Sequence, residues 1–485
     1  MRFTLSVTAA VLVAAPPLAA ATAGDAGERL SVPYEMFRLP NGLTVIVHED
    51  DSAPVASVNC WYHVGSGRET PGRTGFAHLF EHLMFEGSKN VPEGAFDRWL
   101  EAAGGDNNGS TDNDRTNYYE NVPANAVEIP LFLESDRMGF LLGAMTPDSV
   151  DGQRDVVKNE RRQGIENQPY GKVWDVLPGA LFPAGHPYSW PVIGSMEDLS
   201  AASYEDVVSF FDRWYGPANA SLVVAGDVDA KAVRASVEKW FGEIPGSEPV
   251  APLVARPAVL TEEKHVVLED RVQLPRLYLA WIAPPAYSAA EAGLDAVAAV
   301  LADGKNSRLY RRLVYELQVA QDVWAGQDEG ALASSFLVIV TARAGHGLGE
   351  IVGLVDEEIS RLAAEPPSER ELERFRNKTE AAFYDSLERV GGFSGKANRL
   401  NEYYFYTGNP DYFEEDLSRY GALAPDDVSA AAFRFLGMGR VVLSVVPEGR
   451  KELAVPTPEK PPTGAGKGAA AAGRPAAAAG QEVTQ

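Results

Sequence analysis

Two stretches of the chain carry the same order of hydrophobic segments, which argues for two similar units rather than one large core. In the first, Leu43 to His48 and Val55 to Val64 are short β-branched runs, helical patterns follow, and the apolar run Ala220 to Asp227 closes the stretch. The second opens on His265 to Leu268 and Arg276 to Ile282, passes through helical patterns and closes on Arg440 to Val446. Between them, Pro245 to Pro257 contains four prolines and little periodicity, as a linker does. The expectation is an α+β chain with domains at 33–245 and 264–448 joined by a linker at 246–263. Each domain is expected to be a mostly antiparallel sheet with helices packed on one face.

Both ends of the chain read differently from this middle. Arg2, the apolar run Leu5 to Ala20 and the small residues Ala21-Thr22-Ala23 form the pattern of a secretory signal, with cleavage expected after Ala23 and residues 1–23 removed. Pro16-Pro17 breaks the run, which is short of the roughly 20 apolar residues that a membrane span needs. No later segment reaches that length, so the expectation is an exported chain with no membrane span, taken here to reside in a periplasm. Residues 449–485 are rich in Ala, Gly and Pro and are expected to be a disordered tail, because they offer too little apolar surface to offset their ordering entropy. The run Gly464-Ala465-Gly466-Lys467-Gly468 lacks the preceding strand, spacing and hydroxyl residue of a phosphate loop.

Composition removes several kinds of chemistry. The 485 residues hold 43 basic against 68 acidic side chains, a net charge of −25 that would repel a nucleic-acid backbone. Cys60 is the single cysteine, so an intrachain disulfide and a cysteine metal cage are both excluded. Any metal must be held by histidines and carboxylates.

One segment offers them. Leu79, Phe80, Leu83 and Met84 recur at helical spacing, Thr74 can cap the start of such a helix and Gly87 can end it. His78 and His82 then lie one turn apart on one face and can reach a single ion at about 2.0–2.1 Å. Glu81 shares that edge and can point at the open position of the metal rather than bind it. A His-x-x-acid-His pattern arises by chance in about one chain in 70 of this composition. A hydrolytic zinc takes a third protein ligand from another element and leaves the fourth place to water. Thr146-Pro147-Asp148 opens a helix that runs through Val156-Val157 to Glu160, and a valine pair packing inward would set Glu160 on the buried edge. Spacing alone leaves Glu160, Glu166 and Asp155 all open.

The inverted His-x-x-Glu-His order, followed 78 residues after His82 by Glu160 in the setting Arg154-Asp155-Val156-Val157-Lys158-Asn159, resembles the pitrilysin or insulinase family of zinc metallopeptidases, the inverzincins. Further similar pieces follow in order: Leu39-Pro40-Asn41-Gly42-Leu43, Asn108-Gly109-Ser110-Thr111, Arg115-Thr116-Asn117-Tyr118-Tyr119, Leu133 to Met138, Trp214 to Asn219 and Asp303 to Tyr310. The likeness spans roughly residues 33–448 and is greatest to the shorter, mitochondrial-processing-peptidase-like branch, in which two chains of two homologous domains form a clamshell. It implies one Zn2+ per chain held by His78, His82 and Glu160, with Glu81 as general base in peptide hydrolysis. It also implies that Asn108, Gly109 and Thr111 lie on an edge strand to which an extended peptide adds; from the residues alone, this Asn/Gly/Ser segment reads as a loop.

Two positions depart from the family pattern. Gln153 stands where members often have a supporting acid, seven residues before the distal ligand. Through Ser307-Arg308-Leu309, the positions of an Arg and a Tyr that hold the substrate carbonyl align with Val314 and Gln321, which cannot do that work. The resemblance therefore implies a heterodimer whose homologous partner supplies the Arg/Tyr pair; a shifted register using Arg312 and Tyr315, or Arg308 and Tyr310, is the other reading. The competing functions are a non-catalytic scaffold like the respiratory-complex core proteins and a peptide-binding module of the same fold.

Overall fold

The computed structural model describes residues 30–457 apart from 256 and 438. Its two sheets repeat one topology. The first contains β1 (Glu35–Arg38), β2 (Thr44–Glu49), β3 (Val55–Tyr62), β4 (Asp106–Thr111), β5 (Thr116–Pro123) and β6 (Ala220–Gly226) in the order β1-β2-β6-β3-β5-β4. The second contains β7 (Lys264–Asp270), β8 (Arg276–Ala283), β9 (Ala320–Asp328), β10 (Ser334–Ala342) and β11 (Val441–Pro447) in the order β7-β11-β8-β10-β9. The last strand of each half inserts between two early ones, β6 between β2 and β3 and β11 between β7 and β8, parallel to the earlier neighbour and antiparallel to the later. The remaining pairs are antiparallel. β4 and β9 are the corresponding edge strands.

Strand alternation sends one set of side chains to each face. In the first sheet Val45, Val47, Val58, Cys60, Leu222 and Val224 pack on helices of their own half, including Phe76–Glu86, Tyr204–Trp214 and Ala230–Phe241. The opposite face, with Ile46, Val223 and Ala225, is covered by Ala397, Leu400 and Tyr403 of the helix Lys396–Thr407 from the second half. The second sheet mirrors this. Leu277, Leu279, Phe336 and Val338 meet helices of their own half, while Tyr278, Ala280, Leu337 and Leu443 meet Val173, Leu177 and Leu181 of the first-half helix Val173–Leu181. Each half thus carries its own helices on one face, as expected, and lends a helix to the other half's second face.

The lent helix Lys396–Thr407 is seated by amides as well as by apolar contact. Asn398 Oδ1 accepts from Trp61 Nε1 and Asn117 Nδ2, both at 3.0 Å, and Asn401 Nδ2 donates to Asn59 Oδ1 at 2.9 Å. Ser221 Oγ donates to Asn401 Oδ1 at 2.6 Å. Directional bonds of this kind fix the helix in one register.

The expected signal at 1–23 and the tail from 458 onward lie outside the described residues. The first part of the expected tail needs correction: residues 449–457 are ordered against the second half. Gly449 turns the chain at φ 75°, Lys451–Leu453 form a short 3-10 helix, and buried Val455 joins the core while its N–H donates to Ser444 Oγ at 3.1 Å. Val455 and Leu453 supply apolar contact that the composition of the tail as a whole conceals. Among the described residues, no helix is long and apolar enough to cross a membrane.

Candidate metal centre

The helix Phe76–Glu86 is held from below by Phe76, Leu79, Phe80, Leu83 and Met84, all buried. Gly87 ends it at φ 136°, as the sequence suggests. Its start differs from expectation. The N-cap is Gly75 at φ 91°, and Thr74 turns away to donate to Asp198 Oδ2 at 2.6 Å. The free N–H groups of the first turn are taken by Glu69, whose carboxylate accepts from Gly75 at 2.9 Å and Ala77 at 2.8 Å. Burial pushes the Glu69 carboxyl up to about 8 against these bonds. Gly75 is needed for a second reason: a Cβ there would lie 2.8 Å from the Ile193 carbonyl oxygen.

Glu160 comes from the helix Pro147–Arg161, whose start has the expected cap: Thr146 and Ser149 form a capping box with Pro147 behind it. Val157 is buried, but Val156, expected to pack with it, is 44% exposed. A helix of this pitch can turn only one of two adjacent residues squarely inward. Glu160 still reaches the histidines, with Oε2 3.2 Å from His82 Nε2 and 3.6 Å from His78 Nε2. The imidazole centroids are 4.9 Å apart, and one ligand atom from each of the three residues lies within 4.8 Å of the others. Glu160 alone of the three open candidates joins them. Asp155 instead lies 3.6 Å from Lys158, and Glu166 ends the turn after the helix.

This donor set fits zinc: two imidazoles and one carboxylate converge, and the Glu160 side chain is half exposed to solvent. Burial holds the pKa of His78 below its usual value, which keeps the ring neutral and ready to donate a lone pair to a metal. Contact with His82 holds the half-exposed Glu160 carboxyl below its usual range. The described residues contain one other close trio of possible ligands, Glu291, Asp295 and Glu329, but there Glu291 already faces Arg419 at 2.6 Å.

Glu81 stands beside the trio without joining it, and its Oε2 accepts from Thr111 Oγ1 at 2.6 Å. Thr111 ends β4, which pairs with β5 on one side and leaves its other edge open. Asn108 and Gly109 lie on the same strand, so the segment that reads as a loop is extended backbone; Asn108 Oδ1 accepts from the Gly109 N–H at 2.8 Å. Gly109 lets the strand pass close to the helix, since a Cβ there would be 3.1 Å from the Tyr118 ring and 3.3 Å from Glu81 Cγ. Gln153 forms no hydrogen bond with either histidine. Its amide donates to Glu86 Oε1 at 2.5 Å and ties the helix of the two histidines to the helix of Glu160.

In the second half, Val314 is buried in the core and Gln321 lies exposed on β9. Neither alternative pair presents a free cation: Arg308 is bound to Glu371 at 2.9 Å, and Arg312 to Glu357 and to Glu358, the latter at 2.7 Å. Tyr315 is 75% exposed. Both arginines are thus paired with acids of their own half. The residue that sequence reasoning missed is Glu69, because a cap supplied by a buried acid outside the helix leaves no spacing signal.

Residues 44–183 match the family described as insulinase (peptidase family M16), and residues 201–379 match the domain described as the peptidase M16 inactive domain. The chain is 30% identical over 370 residues to the zinc protease PqqE of Helicobacter pylori, covering 75% of this chain and 82% of that one. It is 28% identical over 245 residues to the β subunit of the mitochondrial-processing peptidase of Blastocladiella emersonii, covering about half of each. A solved protease from Helicobacter pylori superimposes with a TM-score of 0.80 at 25% identity, covering 86% of this chain and all of that one.

Proposed function

The chain belongs to the insulinase (M16) family of peptidases, and from that premise we propose that it is an exported zinc endopeptidase acting on peptides or unfolded segments. The observation that carries this reading is the meeting of His78, His82 and Glu160 beside a Glu81 already held by Thr111. The first three would hold one zinc ion, which when bound supplies a Lewis acid for the peptide carbonyl and lowers the pKa of a water. Glu81 removes a proton from the attacking water as its oxygen bonds to the carbonyl carbon. The same carboxyl returns the proton to the leaving amine as the C–N bond breaks. Thr111 keeps the carboxylate aimed throughout, and the open edge of β4 pairs with the main chain of the substrate, which favours broad specificity.

The second half lacks a donor for the developing oxyanion where the family has one, since Val314 is buried and apolar and Gln321 is neutral. The reading therefore includes a homologous partner that contributes an Arg and a Tyr to a shared clamshell. The matched description of the second half as an inactive domain agrees with a zinc site carried by the first half.

The deciding experiment is Glu81→Gln in the mature chain, with zinc content and peptide turnover measured with and without a homologous partner. Turnover should fall by at least about a thousandfold with zinc and peptide binding retained. Equal turnover in variant and parent would remove Glu81 from the mechanism. Zinc and peptide binding without turnover in the parent, under every pairing tried, would favour the scaffold or peptide-binding reading instead.

A further inference from the structure

The turn that ends the edge strand β4 is gripped by the second half of the chain. Asp114, 7% exposed, accepts from Tyr188 Oη at 2.5 Å and from the Ala331 N–H at 2.8 Å. Tyr188 Oη in turn accepts from the Leu332 N–H at 3.0 Å. Ala331 and Leu332 belong to the hairpin between β9 and β10, and Tyr188, 3% exposed, sits in the core that the first-half helix Val173–Leu181 shares with the second sheet. One carboxylate and one phenol thus join a first-half turn to a second-half hairpin.

The surrounding backbone is shaped to this clasp. A Cβ on Gly330 would lie 2.8 Å from Tyr188 Cε2 and 3.0 Å from its hydroxyl, so the hairpin closes on the ring only with glycine there. On the other side of the turn, the N–H groups of Ser66 and Gly67 donate to the carbonyls of Asp112 and Asn113 at 3.0 and 2.7 Å. Within the turn, Asp112 Oδ1 accepts from the N–H groups of Asp114 and Arg115 at 2.7 and 2.9 Å. These bonds brace the turn, and Thr111, which holds Glu81, immediately precedes it. A path of four links therefore runs from the second-half hairpin through Asp114 and the turn to Thr111 and then to Glu81.

An edge strand bonded on one side owes its position to its neighbour and to the anchors at its ends. Burial and the nearby Asp112 push the Asp114 carboxyl up to about 6, while the bonds from Tyr188 and Ala331 oppose that shift, so the ionised acid depends on the clasp. We propose that Asp114 and Tyr188 are positioning residues, through which the second half sets the placement of the peptide-binding strand and the aim of Glu81. The second half thereby acts on the substrate site within its own chain, apart from any donor supplied by a partner. The inference rests on the reading of β4 as the peptide-binding edge.

The test uses the full chain with its partner, if one is required, and two variants that approach the clasp from opposite halves, Tyr188→Phe and Gly330→Ala. The measurements are zinc content, KM and kcat on one peptide, binding of that peptide in the Glu81→Gln background, and amide hydrogen exchange. Each variant should raise KM and weaken binding about tenfold, the scale of one buried bond to a charged group. Exchange should quicken across residues 106–115 with zinc unchanged. Parent-like KM, binding and exchange in both variants would overturn the proposal. Loss of zinc with faster exchange throughout the first half would also overturn it, by reducing the clasp to a general fold contact. A parent that binds no peptide would instead remove the peptidase reading, while exchange at 106–115 would still report whether the second half steadies the strand.

Discussion

The Glu69 carboxyl lies beneath the first turn of the helix Phe76–Glu86, almost wholly out of water, and gives the helix an acceptor that its own N-cap, Gly75, cannot provide. The cost of burying it sets a pH dependence. Its folded pKa of about 8 lies above the ordinary value of 4.5, so between those limits the folded protein keeps a proton that the unfolded chain has released. Stability from this group is therefore full at acid pH and falls as pH rises through that window, by an amount on the order of a few kcal/mol. Glu69→Gln should be the less stable protein at pH 5, because an amide offers one acceptor where the acid offers two, yet should lose less stability between pH 5 and 8. Urea midpoints at three pH values check this, and parallel decline in variant and parent would count against it. His78, Glu81 and His82 were legible because a helix converts a three- and four-residue spacing into a shared face. Glu160 was not distinguishable from Asp155 and Glu166 by spacing and came from the family likeness. Glu69 was illegible because it acts across a turn rather than along a periodic element.

Strand β4 shows how an element can escape its own propensities. Asp106-Asn107-Asn108-Gly109-Ser110-Thr111 lacks the β-branched and aromatic residues of an ordinary strand apart from its last position, and it reads as a loop until tertiary pairing with β5 decides otherwise. The better-endowed β2, β3, β6, β8 and β11 were readable to within about two residues of their ends, the usual uncertainty of an element boundary. The weak composition of β4 follows from its place, because a side chain at Gly109 would intrude on Glu81 and Tyr118. Gly109→Ala brings a methyl to 3.3 Å from Glu81 Cγ, so, if Glu81 is the base proposed above, its carboxylate should shift by a few tenths of an ångström and kcat should fall roughly tenfold with zinc content unchanged. Gly109→Val should deepen the loss. Steady-state kinetics with metal analysis reads both variants, and an alanine variant with unaltered kcat would show that Glu81 has slack in its bond to Thr111. The helix Pro147–Arg161 is the opposite case. Its start was plain from Thr146-Pro147, and only the orientation of Val156 was misjudged.

At the scale of the whole chain, the repeated order of segments foretold two sheets, but not that each half lends a helix to the other. A hydrophobic pattern says that a face is buried without saying what buries it, and the helices Val173–Leu181 and Lys396–Thr407 look from sequence like members of their own halves. Their exchange makes the halves dependent on each other. Without Lys396–Thr407, the first sheet would expose Ile46, Val223 and Ala225 and leave the amides of Asn59 and Asn117 and the indole of Trp61 without their partners. Without Val173–Leu181, the second sheet would expose Tyr278, Leu337 and Leu443. Each fully buried apolar side chain contributes about 1.5–3 kcal/mol, and each buried polar group stripped of its partner costs about 1–3 kcal/mol. Several of each together rival the roughly 5–15 kcal/mol by which a domain is stable. Residues 30–255 and 257–457 produced separately should therefore lack a cooperative thermal transition, whereas the two produced together should assemble and bind zinc. Asn398→Ala in the intact chain should lower stability by about 2–4 kcal/mol, because Trp61 and Asn117 both lose their acceptor in a buried place. Calorimetry of the separate and combined halves decides the point. A first half that melts cooperatively and holds zinc alone would mean that the lent helix covers the sheet without sustaining it, and the second half would then act on the metal centre chiefly through the Asp114 clasp.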